Sequence, residues 1–265
     1  MTAVDVRTFD HLAARYDRIS TLLGAELRAW LMFHLPARGD RALDLGCGTG
    51  VLAERILATC APRSVKGVDS SEGFLGYARE NVRDPRAQFA LADAQSLPDR
   101  DAAFDAVVSG LVINFVPKPE TAAAEIARVL RPGGIAAAYV WDYGTKMQLM
   151  RHFWNAAVAL DPSARDKDEG LRFPLCQPEA LRALWTGAGF RRVEVVAIDV
   201  DTVFRDFDDY WTPFLSGQAP APGYCMSLDD GARERLRERL RASLPHATDG
   251  TIPLVARAWA VKGRR

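Results

Sequence analysis

The 265-residue chain lacks several features that would point to particular classes of protein. Its formal net charge is zero, because 34 basic residues balance 34 acidic ones, so nothing draws it generally to nucleic acid or to an anionic membrane. No apolar run reaches the roughly 18–20 residues of a membrane-spanning helix. The four cysteines form no C-x-x-C pair, which argues against a zinc site and a disulfide framework. We therefore expect free thiols in a reducing cytoplasm and no metal site.

The composition is that of an ordinary globular protein. Hydrophobic residues make up 48% of the chain and charged residues 26%. No internal repeat is visible, and the mixture of charged and apolar residues over 1–17 does not predict a signal peptide. Such a chain is long enough to bury a large core as one or two domains.

Short apolar segments alternate with amphipathic helices over residues 41–142. This order predicts a parallel sheet wrapped by helices, an α/β fold of the Rossmann-like, doubly wound type. Two later apolar segments bring the mostly parallel sheet to seven strands. The strands are predicted at 41–45, 64–69, 88–91, 104–108, 135–141, 192–200 and 252–261.

Two long segments interrupt this alternation after residue 142. Insertions of this length in a compact fold usually form lids or binding loops, and we expect helical lids here. The predicted division of the chain is an N-terminal helical cap (1–40), a cofactor-binding core (41–142), a lid insertion (143–177), a core helix and strand (178–202), a second lid insertion (203–250), and a final strand with its tail (251–265).

A glycine loop, Asp44-Leu45-Gly46-Cys47-Gly48-Thr49-Gly50, joins the first strand to the first helix. Glycines let the backbone approach a ligand closely, and the helix start offers free N–H groups with a partial positive charge. Asp69 ends the next strand, 19 residues after Gly50, a spacing that suits a carboxylate on ribose hydroxyls. Asp93 follows the third strand at the same edge. Three acids without basic partners favour a ligand rich in donors over a polyphosphate.

The sequence resembles the class I S-adenosylmethionine-dependent methyltransferases, and most of all the group with the ubiquinone/menaquinone biosynthesis C-methyltransferases. The resemblance extends over about residues 41–141. It is carried by Leu43–Gly50, Gly67–Ser71, Ala92–Pro98, Phe104–Ser109 and Glu125–Gly134. It implies S-adenosyl-L-methionine as cofactor and S-adenosyl-L-homocysteine as product.

The resemblance also implies a role for individual residues around the methionine half of the cofactor. The loop with Gly46, Cys47, Gly48 and Gly50 would lie against the methionine part, and Asp44 would receive its ammonium group.

Around the nucleoside half, the resemblance implies that Asp69 holds the ribose hydroxyls and that Ser70 borders the adenine. Asp93 would accept from the adenine amino group, and the backbone N–H of Ala94 would face a ring nitrogen. Ser109, expected after the fourth strand, would present its carbonyl near the sulfonium, and Tyr16 would close over the methionine carboxylate.

Methyl transfer from a sulfonium is an in-line displacement in which positioning does much of the work. We expect a small, apolar methyl acceptor. Asp142, Tyr143 and His152 are the candidate catalytic residues, with Asn114 and His11 as further residues near the acceptor. The aromatic residues of the insertions admit two interpretations, an apolar acceptor pocket or the lid's own core. They are Phe153, Trp154, Phe173, Tyr210, Trp211, Phe214 and Tyr224.

Nucleic acid is not an expected partner. The amino-methylating motif [ND]-P-P-[YFW] is replaced by Ser109-Gly110-Leu111-Val112 after the fourth strand. Arginines cluster over 233–241, but glutamates interleave with them, which favours a solvated helix face with Leu236, Leu240 and Leu244 packed inward.

Two other functions remain open, and the sequence does not predict the oligomeric state. One is a regulatory protein that binds the cofactor without methylating anything. The other is a nicotinamide enzyme, since Gly48 to Ala53 fits G-x-G-x-x-[GA]. That match, however, begins two residues after the first glycine of the loop.

Overall fold

The computed structural model of the protein describes residues 40–217 and 219–265. Seven strands form one sheet in the order β3-β2-β1-β4-β5-β7-β6. The strands are β1 (Arg41–Leu45), β2 (Ser64–Asp69), β3 (Ala87–Leu91), β4 (Phe104–Gly110), β5 (Leu130–Trp141), β6 (Arg191–Phe204) and β7 (Ile252–Arg264).

The α-helices of the described ranges lie between these strands. They are α1 (Val51–Cys60), α2 (Glu72–Asn81), α3 (Pro119–Val129), α4 (Gln148–Leu160), α5 (Glu169–Arg172), α6 (Pro178–Gly187), α7 (Phe207–Trp211), α8 (Pro220–Ser227) and α9 (Asp230–Ser243). None of them is both long enough and apolar enough to cross a bilayer.

The sheet is mostly parallel, as predicted. β1 pairs in parallel with β2 and β4, β2 with β3, and β4 with β5. Hydrogen bonds join Gly133 to Arg265 and Asp142 to Arg257, so β7 runs antiparallel to β5. The order of strands with flanking helices confirms the doubly wound α/β fold.

The strands are buried where the sequence is continuously apolar. All residues of β1 except Arg41 are buried, and so is every residue of β5 from Gly134 onward. β5 begins five residues earlier than predicted, at Leu130. Proline and glycines suggested a turn there, but Gly133 and Gly134 hydrogen-bond to Arg265 and extend the strand.

Helix ends follow the sequence signals closely. Ser71 caps α2, since its side-chain oxygen accepts from the backbone N–H of Phe74. The apolar stripe of α3 is buried, with Ala122, Ile126 and Val129 nearly inaccessible to solvent.

The described chain divides into two compact units. Unit 1 contains residues 40–140 of the described chain, Gln177–Ile198 and Trp259–Arg265. Unit 2 contains Trp141–Cys176 and Asp199–Ala258. The glycine loop and the acids predicted to bind the cofactor belong to unit 1.

Unit 2 has an aromatic core of its own. Phe153 and Phe214 stack with ring centroids 4.4 Å apart, and Trp154 meets Phe153 edge-on at 5.2 Å. The hydroxyl of Tyr210 donates to the carbonyl of Leu149 at 3.0 Å. The core also contains Trp211 and Tyr224. Of the two interpretations of the aromatic residues, the structure supports mutual packing for these six. Phe173 is half-buried and is not part of this core.

The arginine-rich helix α9 has the predicted amphipathic arrangement. Arg233, Arg237 and Arg241 each pair with an acidic residue three positions earlier. On its inner face Leu236 and Leu240 are buried, as is the following Leu244, which confirms the prediction.

We predict that Trp211→Ala destabilises the protein through loss of packing. Trp211 is buried, and its ring lies 6.3 Å from Phe207 and 6.1 Å from Phe214. Truncating such a ring costs about 3–5 kcal/mol of unfolding free energy. Urea denaturation measures it, with the exposed Leu215→Ala as the control. A Trp211→Ala midpoint no lower than that of the control would contradict this packing role.

Candidate functional site

The glycine loop turns sharply at the carboxyl end of β1. The N–H groups of Gly46 and Cys47 both donate to the carbonyl of Val68, at 2.7 and 2.9 Å. Gly46 has φ +73°, and a Cβ there would lie 2.5 Å from the side chain of Val112. Only glycine therefore fits at this position.

Gly48 leaves open space above the loop. Its φ is +52°, and apart from Gly48 and its two chain neighbours no atom of the described residues lies within 4 Å of the position that a Cβ would take. Helix α1 follows at Val51, and Gly50 before it has no side chain to cap the first N–H groups. The loop thus offers backbone donors and a partial positive charge to a ligand.

Asp69 connects the glycine loop to the next helix. One carboxylate oxygen accepts from the N–H of Gly48, and the other from the N–H of Ser71, both at 2.9 Å. A carboxylate offers about four acceptor positions, so two remain for a ligand. Ser70, between Asp69 and Ser71, is exposed at the same strand end.

Asp44 is a buried carboxylate inside β1. It has no solvent exposure, and neither of its oxygens accepts a hydrogen bond from a residue in the described ranges. Burial raises the pKa of Asp44 to about 7; the N–H of Ala53 opposes the rise and the charge of Asp69 adds to it. A nearby cation would restore the charged form. The site therefore suits a positively charged group.

Asp93 follows β3 by two residues and is exposed. Its Oδ1 accepts from the backbone N–H of Gln95 at 2.8 Å and from the Gln95 amide at 3.1 Å, and these bonds lower the pKa of Asp93. The Gln95 amide oxygen in turn accepts from the N–H of Lys118 at 3.2 Å. Sequence analysis missed Gln95, although a D-x-Q turn is a recognisable signal. Ala94 lies half-buried within this turn.

The three acids occupy neighbouring strands. Since β3, β2 and β1 are adjacent in the sheet, Asp93, Asp69 and Asp44 lie at the carboxyl edge of consecutive parallel strands. Open α/β sheets bind ligands at this edge.

Ser109 lies within a strand rather than after one. β4 extends through Gly110, and Ser109 pairs with Ala138 there. Its hydroxyl donates to the carbonyl of Leu45 at 2.9 Å, which fixes β4 to β1. The expectation that Ser109 follows the strand is wrong, because β4 is two residues longer than its apolar segment.

Asn114 sits in the short turn that follows β4. It is 9% exposed, and neither atom of its amide has a hydrogen-bond partner within the described residues. An unsatisfied buried amide is costly, so a bound group at this position would stabilise it.

The candidate catalytic residues belong to unit 2. The carboxylate of Asp142 accepts from the N–H of Thr145 at 2.8 Å and from the Thr145 hydroxyl, and so holds a turn. Tyr143 is buried, with its ring 5.9 Å from that of Phe173. His152 lies half-buried on α4, where burial lowers its pKa and favours the neutral ring.

Other predicted residues have simpler outcomes. All four cysteines are free thiols. Burial, with the charges of Asp44 and Asp69, raises the pKa of Cys47, so its thiol stays protonated. Tyr16 and His11 lie outside the described residues.

Comparison with known proteins gives a family match over residues 43–138, to a family described as a methyltransferase domain. The chain is 34% identical over 166 residues to malonyl-[acyl-carrier protein] O-methyltransferase of Geobacter sulfurreducens, covering 62% of this chain and 61% of that relative. It thus spans less than two thirds of that relative's length.

Other similarities extend further. Over 216 residues the chain is 32% identical to the demethylmenaquinone methyltransferase of Thermus thermophilus, covering 74% of this chain and 97% of that protein. In fold it resembles phosphoethanolamine N-methyltransferase 2 of Haemonchus contortus, solved with S-adenosylhomocysteine. That match has a TM-score of 0.55 and 20% identity, and covers 88% of this chain and 50% of the other. Together with the loop and its acids, these similarities show that the chain belongs to the class I S-adenosylmethionine-dependent methyltransferase family.

Proposed function

We propose that the protein binds S-adenosyl-L-methionine at the carboxyl edge of β1, β2 and β3 and transfers its methyl group to a small molecule. The observation that carries this proposal is the state of Asp44 beside the glycine loop. Its carboxylate is fully buried, and neither oxygen accepts a hydrogen bond from a described residue. The ammonium group of the cofactor supplies the cation that such a carboxylate requires.

The remaining donors and acceptors suit the rest of the cofactor. The loop from Gly46 to Gly50 would lie along the methionine part, with the start of α1 near its carboxylate. The free acceptor positions of Asp69 would take the ribose hydroxyls, with Ser70 beside the adenine. Asp93 and the N–H of Ala94 would recognise the adenine edge. No lysine stands in the loop, as a polyphosphate site would require.

When bound, the cofactor supplies an activated methyl group on a cationic sulfur. The protein then has to align the acceptor with that group and keep water out, and alignment contributes up to about 7–11 kcal/mol of barrier lowering. Ser109 contributes from inside β4, where its hydroxyl fixes the strand to Leu45 at the base of the loop.

The acceptor is proposed to be small and apolar. Leu91 and Phe115 support this, since both are more than half exposed. Leu91 is the last residue of β3, and Phe115 lies in the turn that follows β4. The buried amide of Asn114, in the same turn as Phe115, would give such an acceptor one polar contact. Relatives named for malonyl-[acyl-carrier protein] and for demethylmenaquinone indicate that acceptors differ within the family.

If the acceptor must lose a proton, His152 is the proposed base, because its ring is favoured in the neutral form. Such a base adds about 10²–10⁴-fold to a rate. Asp142 and Tyr143 would act by shaping the turn ahead of α4, since the Asp142 carboxylate already bonds to Thr145.

The direct test is transfer of a labelled methyl group to a panel of small apolar and polar acceptors. We expect labelled product and S-adenosylhomocysteine to form in equal amounts with at least one apolar acceptor, and Asp44→Asn to reduce both. Tight cofactor binding without transfer to any acceptor would instead favour the regulatory function.

We predict that Asp69→Ala weakens S-adenosylhomocysteine binding at least tenfold. The change removes charge-assisted hydrogen bonds to ribose, worth about 1.5–3 kcal/mol each, and also releases the N–H groups of Gly48 and Ser71. Calorimetry measures the dissociation constant. Asp84→Ala, at a partly buried ion pair with Arg86 outside the proposed site, is the control and should bind as the wild type does. Unchanged affinity in Asp69→Ala would show that Asp69 does not hold the ribose.

A second prediction concerns pH. Because the folded-state pKa of Asp44 is raised to about 7, the ligand-free folded state holds a proton that the unfolded state releases near pH 4. The unfolding free energy of the wild type should therefore fall as pH rises from about 4 to 7, by up to about 1.4 kcal/mol per pH unit. Asp44→Asn should lack this fall. Binding of S-adenosylhomocysteine should strengthen over pH 5 to 7, as the carboxylate ionises.

Denaturation and calorimetry across this pH range test both effects. Asp84→Asn is the control, since hydrogen bonds from Arg86 lower the pKa of Asp84 to about 2 and keep this carboxyl ionised throughout. An Asp44→Asn variant with the same pH dependence as the wild type would refute the assignment.

A further inference from the structure

Tyr139 shares one face of the sheet with Asp44. Asp44 pairs with Val108, which pairs with Ala137, so these three side chains point to the same side of the parallel sheet. Side chains alternate along a strand, so Tyr139, two residues after Ala137, points to that side as well. Sequence analysis did not single out Tyr139, because it stands within a continuous apolar strand.

The ring of Tyr139 lies across β4. Its partner in the register is Gly110, and a Cβ on Gly110 would come within 2.5 Å of the Tyr139 hydroxyl oxygen and 2.8 Å of Cζ. The absence of a side chain at Gly110 thus lets the phenol extend from β5 across β4, toward β1 and Asp44. Its own backbone is fixed there, since the Tyr139 carbonyl accepts from the N–H of Leu111 at 2.8 Å.

The hydroxyl therefore ends one strand from Asp44 and about two residues further toward the carboxyl edge. Strand spacing and rise place the backbone of Gly110, next to the hydroxyl, roughly 8 Å from the backbone of Asp44. Tyr139 is 8% exposed, and its burial, with the charge of Asp44, raises its pKa, so the phenol keeps its proton as a donor and acceptor.

We propose that the hydroxyl of Tyr139 is a further cofactor-binding group, which acts with Asp44 on the amino-acid half of S-adenosylmethionine. The inference rests on the proposed function. The ammonium group would bind to the Asp44 carboxylate and the Tyr139 hydroxyl, and Gly110 would be required for the phenol to reach across β4.

Two ligands distinguish binding of the amino-acid half by Tyr139 from a general effect of the substitution on the site. S-adenosylhomocysteine carries the amino-acid half, whereas 5′-methylthioadenosine keeps the adenosine and sulfur without it. Tyr139→Phe should raise the dissociation constant of the first about three- to tenfold, the effect of one hydrogen bond, and leave that of the second unchanged. Calorimetry on the full chain measures both. Tyr77→Phe, a half-buried tyrosine on α2, is the matched control and should change neither.

Equal weakening of both ligands by Tyr139→Phe, or no weakening of either, would overturn the inference. A thermal unfolding midpoint within a few degrees of the wild type would show that the variant is folded. If the wild-type protein itself bound neither ligand, the proposed function would fail, and that result is distinct from a failure of Tyr139 alone.

Discussion

The arrangement of the site depends on the carboxylate of Asp69, which binds the N–H groups of Gly48 and Ser71 at once. Through these two bonds the end of β2 fixes the loop that follows β1 and the start of α2. The Val68 carbonyl completes the constraint by accepting from Gly46 and Cys47. A backbone held in this way has little freedom left to lose when a ligand binds, which favours affinity.

A costly buried group lies beside this fixed loop. Asp44 has no solvent exposure, and its burial raises its pKa in the ligand-free protein. A buried carboxyl with a raised pKa is typical of sites where a bound ligand supplies the opposite charge. The cost is borne within unit 1, which holds all the described residues proposed to bind the cofactor. The aromatic residues of unit 2 stabilise that unit instead.

Much of the fold could be predicted because its signals are local. The bounds of β1 and β2 follow from apolar segments, and Ser71 caps α2 as its position indicates. Contacts between segments far apart in the sequence could not be predicted from local patterns. The pairing of Gly133 with Arg265 lengthened β5, and the extension of β4 placed Ser109 inside a strand. For the same reason, the phenol of Tyr139 over Gly110 could be recognised only from the strand register.

The central claim is that this sheet edge recognises a nucleoside joined to an amino acid through sulfur. Calorimetric titration of the purified protein with S-adenosylhomocysteine and, separately, with NAD tests it most directly. Our account predicts saturable binding of S-adenosylhomocysteine at one site per chain and no measurable heat with NAD. Tighter binding of NAD, or no binding of S-adenosylhomocysteine, would contradict it.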